Sequence, residues 1–178
     1  MRVIAGKLKG LQLASPKSPQ TRPMSDRMRG ALFNALGDIA DLTVLDAFAG
    51  SGAIAIEAVS RGARSVVAVE RDKKVARTLE SNITRISGFA PIQAVQANIS
   101  TWLNEADDSL RFDVIVADPP YDDTQLPRIE QLIDYVELGG LLVLSWPADD
   151  NEAPVLDGAE QLKRDSYAGG SLIYYRRK

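Results

Sequence analysis

The spacing of hydrophobic and polar residues changes character near residue 42. Before that point, residues 2–14 alternate loosely around Gly6 and Gly10, which predicts a β-hairpin or a strand–loop–strand. Residues 15–23 alternate prolines with basic and polar side chains, as an extended loop does. Ser25 is a suitable helix N-cap. After it Met28, Ala31, Leu32, Ala35, Leu36 and Ile39 recur at helical spacing. The expected helix packs this stripe on the body and carries Arg27 and Arg29 away from it.

From residue 42 onward the pattern becomes strand, helix, strand, helix. Apolar, β-branched runs predict strands at 43–47, 65–69, 92–95, 112–117 and 141–146. Helices are expected at 53–61, closed by Gly62, and after Asp72 as N-cap, with apolar positions Val75, Leu79, Ile83 and Ile86. A short helix at 100–104 and another at 125–136 complete the alternation. Residues 147–158 read as a loop, and 161–167 with 171–176 as a hairpin joined through Gly169-Gly170. Alternating β and α elements imply a mostly parallel sheet with right-handed crossovers and helices on both faces. The chain thus divides into an N-terminal extension, 1–41, and an α/β domain, 42–178. At 178 residues with 45% hydrophobic side chains, it can build the core this requires.

The fourth strand ends in Asp118-Pro119-Pro120-Tyr121. Proline cannot donate to a sheet ladder, so the strand must stop there, at the edge where open α/β sheets bind ligands. An acid, carbonyls held by rigid prolines and a flat aromatic suit the binding of a planar amino group. The Asp118 carboxylate and the Pro119 carbonyl can accept its two N–H bonds and favour a more pyramidal, more nucleophilic nitrogen. Tyr121 can stack on a flipped-out base. Taken alone, the same four residues also make an ordinary turn.

The first strand runs into Asp46-Ala47-Phe48-Ala49-Gly50-Ser51-Gly52. Glycines between a first strand and a helix let a ligand approach backbone, although they also serve a tight strand–helix turn. Asp46 would repel a pyrophosphate but suits S-adenosylmethionine, which carries a sulfonium and an ammonium. Glu70, about twenty residues on, is placed to bind ribose hydroxyls.

The chain contains no Cys and no His. That removes thiol nucleophiles, imidazole acid–base catalysis and the usual zinc ligands, and no metal is expected. Methyl transfer from a sulfonium fits, because the leaving group needs no protonation. The lack of Cys also suits the cytosol. The apolar runs are too short to span a bilayer, and no signal peptide is expected.

The net charge is −3, yet residues 1–30 carry +6 and the remainder −9. Such asymmetry suggests a phosphate-facing patch on an acidic body; a solvated tail is the bland alternative.

The two central motifs, in this order, resemble class I S-adenosylmethionine methyltransferases acting on an exocyclic amine. Arg2-Val3-Ile4-Ala5-Gly6, Arg22-Pro23, Asp26-Arg27-Met28-Arg29 and Leu32-Phe33-Asn34 resemble more specifically the bacterial 16S rRNA guanine-N2 methyltransferase family. The likeness spans essentially the whole chain. It implies a Rossmann-like fold with a seven-stranded sheet, and the cytoplasmic small ribosomal subunit as partner of a monomeric enzyme. Together the residues and the resemblance give catalytic positions Asp118, Pro119, Pro120 and Tyr121. Cofactor contacts are expected from Asp46, Phe48, Ala49, Gly50, Ser51, Gly52, Glu70, Arg71, Asn98 and Ile99. RNA contacts are expected from Arg2, Lys7, Arg22, Arg27 and Arg29. Asn98 stands where the family usually has an acid, near the cofactor's adenine; its carbonyl can still accept from the adenine amine. Met24 and Gly30 replace the family's frequent Thr and Glu.

An N6-adenine methyltransferase, on DNA or RNA, shares the Asp-Pro-Pro-Tyr chemistry and is the main alternative. The chain leaves no room for the added target-recognition region usual in the DNA enzymes. Protein glutamine methyltransferases resemble Asn-Pro-Pro-Tyr instead, and Asp46 opposes an NAD-dependent oxidoreductase. A catalytically dead RNA-binding module would have no need of Asp118 and Tyr121.

Overall fold

A computed structural model describes residues 1–16, 24–89, 91–148 and 152–178. Seven strands form one sheet in the order β3-β2-β1-β4-β5-β7-β6. The strands are β1 (Thr43–Asp46), β2 (Ser65–Glu70), β3 (Ile92–Gln96), β4 (Phe112–Ala117), β5 (Val136–Trp146), β6 (Ala159–Tyr167) and β7 (Gly170–Arg177). The first five are parallel to one another, while β7 runs antiparallel to both β5 and β6. This is the expected α/β architecture, with the terminal hairpin on one edge. The order reverses between β1 and β4, and that switch point opens a crevice at the strands' carboxyl ends.

Period-two alternation splits the core into two layers. Val44, Val114, Val116 and Val143 face one helical layer, and Leu45, Ile115, Leu142 and Leu144 face the other. The helices are α1 (Asp26–Leu36), α2 (Ala53–Ser60), α3 (Lys73–Thr84), α4 (Ile99–Glu105) and α5 (Leu126–Leu132). Ser25 caps α1, accepting from the Met28 amide at 3.2 Å, and Asp72 caps α3 through the Lys74 and Val75 amides.

Helix α2 is buried along its whole length, which an Ala-Ile-Ala-Ile sequence permits but a surface helix would not. Its outer face is covered by the N-terminal arm. Glu57, fully buried, accepts from the Ile4 and Ala5 amides at 2.7 and 3.0 Å and from Arg61 Nε at 2.9 Å. Ser60 accepts from the Leu8 amide, and Asn82 of α3 bonds both the amide and the carbonyl of Ala14. The arm's hairpin is minimal: a single antiparallel bridge joins Arg2 to Gln12.

Three elements differ from the sequence expectation. The helix expected at 125–136 ends at Leu132 and tightens into a 3₁₀ turn, Ile133–Tyr135. Strand β5 starts early, because Val136 already pairs with Phe112 before the register shifts. In α1 the buried face is Met28, Arg29, Leu32 and Phe33, whereas Ala35 is exposed. The Met28–Leu32–Leu36 line borders two flanks, and the larger Phe33, rather than Ala31 and Ala35, takes the inner one. Arg29 shares that flank.

Candidate active site

Every strand that points into the crevice contributes its last residue or the loop after it. A cavity of about 1440 Å³ lies there. A single small-molecule site typically occupies roughly 300–1,000 Å³, so this one has room for two ligands side by side. Its walls include Phe48–Ser51 after β1, Glu70 and Arg71 after β2, Ile99 after β3 and 118–121 after β4. The structure therefore brings most of the sequence-derived candidates to one place.

The loop after β1 is shaped by backbone. Gly52 adopts φ +83°, a conformation L side chains rarely take, and a Cβ there would lie 2.4 Å from Leu79 Cδ1. Glu70 braces the loop: its carboxylate accepts from the Gly50 amide at 2.9 Å and from the Asp72 amide at 2.7 Å. Each oxygen keeps lone-pair capacity for a further donor such as a ribose hydroxyl. Burial, opposed by these two amides, leaves the Glu70 pKa above its ordinary value.

Asp46 does not line the cavity; it lies buried at the end of β1. Its Oδ2 accepts from the Ala55 amide at 3.1 Å, the Phe48 amide also favours its charged form, and its Oδ1 has no partner at hydrogen-bonding distance. Burial, then the nearby Asp118 carboxylate, push the Asp46 pKa up to about 8. Burial likewise raises Asp118 to about 6. Three acids with raised pKa values and an orphaned carboxylate oxygen are the setting a cationic ligand would relieve. The residues present fit a ligand with a sulfonium, an ammonium and a ribose.

Tyr121 is 39% exposed at the mouth, with its hydroxyl 2.8 Å from Ser145 Oγ. Arg71, exposed, pairs with Asp123 at 3.3 Å between the loops after β2 and β4. Sequence reasoning missed Ser145, Tyr167 and the turn at Ala168-Gly169, all of which line the cavity. Ser145 carried one signal, a lone hydroxyl in the otherwise apolar run 141–146.

Asn98 is exposed and does not line the cavity. Its carbonyl is engaged as the N-cap of α4, accepting from the Thr101 amide at 2.7 Å. Arg2, Lys7 and Arg27 are exposed, and Arg27 reaches the cavity wall from α1. Arg22 lies outside the described residues. Arg29 corrects the expectation of a free cation: it is 1% exposed, bonding Asp26 at 2.9 Å and the Arg2 carbonyl at 2.7 Å. A guanidinium buried this way joins the arm to α1 and is not presented to a phosphate, although its Nε has no partner.

The sheet order and the strand-end site define a class I methyltransferase. The family model "Conserved hypothetical protein 95" matches residues 1–176. The Ribosomal RNA small subunit methyltransferase D of Escherichia coli (strain K12) is 32% identical over 95% of this chain and 85% of that protein. The chain belongs to this family. The solved structure of yhhF from Escherichia coli superposes with a TM-score of 0.86 at 29% identity, covering 100% of this chain and 98% of the other. A shorter match joins 44% of this chain, at 36% identity, to 32% of a Bacteroides fragilis protein named tRNA1(Val) (adenine(37)-N6)-methyltransferase.

Proposed function

We propose that this chain transfers a methyl group from S-adenosylmethionine to the exocyclic N2 amine of a guanine in 16S rRNA of the small ribosomal subunit. The observation that carries the reading is that the Asp118–Pro119–Pro120–Tyr121 loop and the acid-braced glycine loop share one cavity. The family relative's activity on small-subunit rRNA supports the choice of substrate.

When bound, S-adenosylmethionine supplies a methyl group whose thioether leaving group needs no acid. The chain's own residues do the rest. Glu70 holds the cofactor's ribose, Asp46 compensates its positive charge from behind the loop after β1, and Phe48, Ala49, Gly50, Ser51, Arg71 and Ile99 form the remaining wall. Asp118 and the Pro119 carbonyl accept the two amine N–H bonds and aim the nitrogen lone pair. With a pKa raised to about 6, Asp118 is also basic enough to take the proton that the methylated amine loses. Tyr121 stacks on the base. Residues 1–41 dock the RNA, with Arg2, Lys7 and Arg27 as exposed cations and Arg22 as the proposed contact from the preceding loop. The protein acts as a monomer in the cytoplasm.

A second reading, N6-adenine methylation of RNA, draws on the partial match to the tRNA enzyme. One experiment separates them. The protein is incubated with labelled S-adenosylmethionine and small subunits, naked 16S rRNA, tRNA or DNA, and each product is digested to nucleosides. Label in N2-methylguanosine from the small subunit or its rRNA is expected. Label in N6-methyladenosine would overturn the guanine reading.

A further inference from the structure

We propose that Gln125, the residue before α5, reads the base of the cofactor: its side-chain carbonyl accepts a hydrogen bond from the exocyclic amine of the adenine. The inference rests on the reading of the cavity as an S-adenosylmethionine site given above.

An amine taken out of water needs an acceptor. Asn98, where the sequence placed one, does not line the cavity. Its side-chain oxygen takes the Thr101 amide at 2.7 Å and the Ser100 hydroxyl at 3.2 Å, which uses both lone pairs. The acceptor must come from elsewhere on the wall.

Glu70 fixes where to look. With the ribose at Glu70, the base lies one glycosidic bond away. Arg71 follows Glu70, and its carbonyl accepts from Gln96 Nε2 at 3.2 Å. Val75 of α3, with Ala97 and Ile99 after β3, gives the cavity apolar walls on this side, as a flat ring requires. Across the crevice Arg71 Nη1 meets Asp123 Oδ2 at 3.3 Å, and the same oxygen accepts from Gln125 Nε2 at 3.2 Å. Asp123 is held in turn by its own amide, which donates to the Pro120 carbonyl at 2.9 Å. Gln125 lines the cavity too. A short chain of contacts thus leads from the ribose-holding acid to the Gln125 amide.

Donor inventory orients that amide. An ionised carboxylate only accepts, so the NH₂ of Gln125 faces Asp123 and its carbonyl oxygen is turned away. Among the described residues nothing donates to that oxygen. An acceptor held this way suits a base that carries an amine.

The backbone points in the same direction. Gln125 sits at φ +51°, ψ +38°, a left-handed conformation that glycine takes freely and glutamine rarely. Glycine would make this turn with less strain. A side chain kept at that cost on a cavity wall is one that the site uses.

The test is calorimetry with two ligands: S-adenosylhomocysteine, and its 6-deamino analogue with hydrogen in place of the amine. Both are titrated into the wild type, Gln125→Gly, Gln125→Met and Asn98→Ser. The wild type should bind the amine-bearing ligand about 3–10-fold more tightly, the size of one neutral hydrogen bond. Both Gln125 variants should bind the two ligands equally, with the deamino analogue held as tightly as by the wild type. Gln125→Gly, relieved of its strain, should unfold at or above the wild-type temperature, which separates a lost preference from a lost fold. Asn98→Ser, which keeps an N-cap for α4, should keep the preference. A preference that survives in both Gln125 variants, or one that vanishes in Asn98→Ser, would overturn the inference. A wild type that binds the two ligands equally would overturn it as well. A wild type that binds neither would overturn the S-adenosylmethionine reading of the cavity itself.

Discussion

Glu57 and Asp46 are both fully buried acids, some ten residues apart in sequence, and their surroundings differ in kind. Glu57, under the N-terminal arm, has two backbone amides and the Arg61 guanidinium. Asp46, at the strand ends, has the Ala55 amide on Oδ2 and the Phe48 amide nearby, no counter-charge and no close partner on Oδ1, and the Asp118 carboxylate beside it. A buried acid whose acceptors are filled by backbone and a counter-charge is a clamp. A buried acid left short of partners beside a second acid is held ready for a ligand. The same contrast separates Arg29, consumed by the Arg2 carbonyl and Asp26, from the exposed Arg27 two residues before it.

Glu57→Ala should give the largest effect on stability, because it strands Arg61 and frees the arm. Breaking a buried pair costs about 3–5 kcal/mol, so thermal or denaturant unfolding should show a correspondingly large loss. An unfolding midpoint near that of the wild type would mean that the arm is held by other contacts. Glu70→Ala should weaken S-adenosylmethionine binding by about 1.5–3 kcal/mol, the range for hydrogen bonds to a charged group. Part of that loss comes from the unbraced Gly50 loop. Calorimetry with unchanged affinity would remove Glu70 from the cofactor site.

Asp46 should behave in the opposite way to Glu57. Its folded pKa, about 8, lies above its unfolded value of 3.8. The folded state therefore binds the proton more tightly, and the stability this supplies is complete below the unfolded pKa and lost as pH rises through the folded one. Asp46→Asn should raise the unfolding temperature above pH 8 relative to wild type, by about 1–3 kcal/mol in stability, while weakening cofactor binding. A stability difference that does not change with pH would contradict the buried-charge account. The smallest effect is expected from Arg27→Ala. It should lower the salt dependence of RNA binding by a slope of roughly 0.7–0.9, the value of one lost phosphate contact, and leave folding intact. Arg29→Ala should instead destabilise the protein. Equal behaviour of the two variants would dissolve the distinction between them.

Much of this arrangement was legible in the sequence, for local reasons. Prolines after an apolar run must end a strand, so Asp118 and Tyr121 could be set at a strand end without knowing the fold. Glycines between a strand and a helix, with an acid at the end of the next strand, located the other wall. What stayed hidden depended on partners distant in sequence. Arg29 lies beside a helical stripe whose two flanks are equally good by spacing, and only the packing of Phe33 decides between them. Asn98 has the right chemistry for an adenine amine, but the nearer Thr101 amide takes its carbonyl. Ser145 finds its partner, Tyr121, 24 residues earlier, across a strand pairing that no local pattern states. The lone acid in the apolar α2 was a readable sign that something must cover that helix.

The central claim, that the acid-lined strand ends are a methyl-transfer site in which Asp118 holds the accepting amine, is tested most directly by Asp118→Ala. Single-turnover methylation of small subunits and cofactor calorimetry are measured on the same preparation. The predicted result is a loss of turnover of about 10²–10⁴-fold, the range for a positioned proton acceptor, with S-adenosylmethionine affinity retained. Near-normal turnover in that variant would contradict the account, and so would cofactor binding lost together with activity.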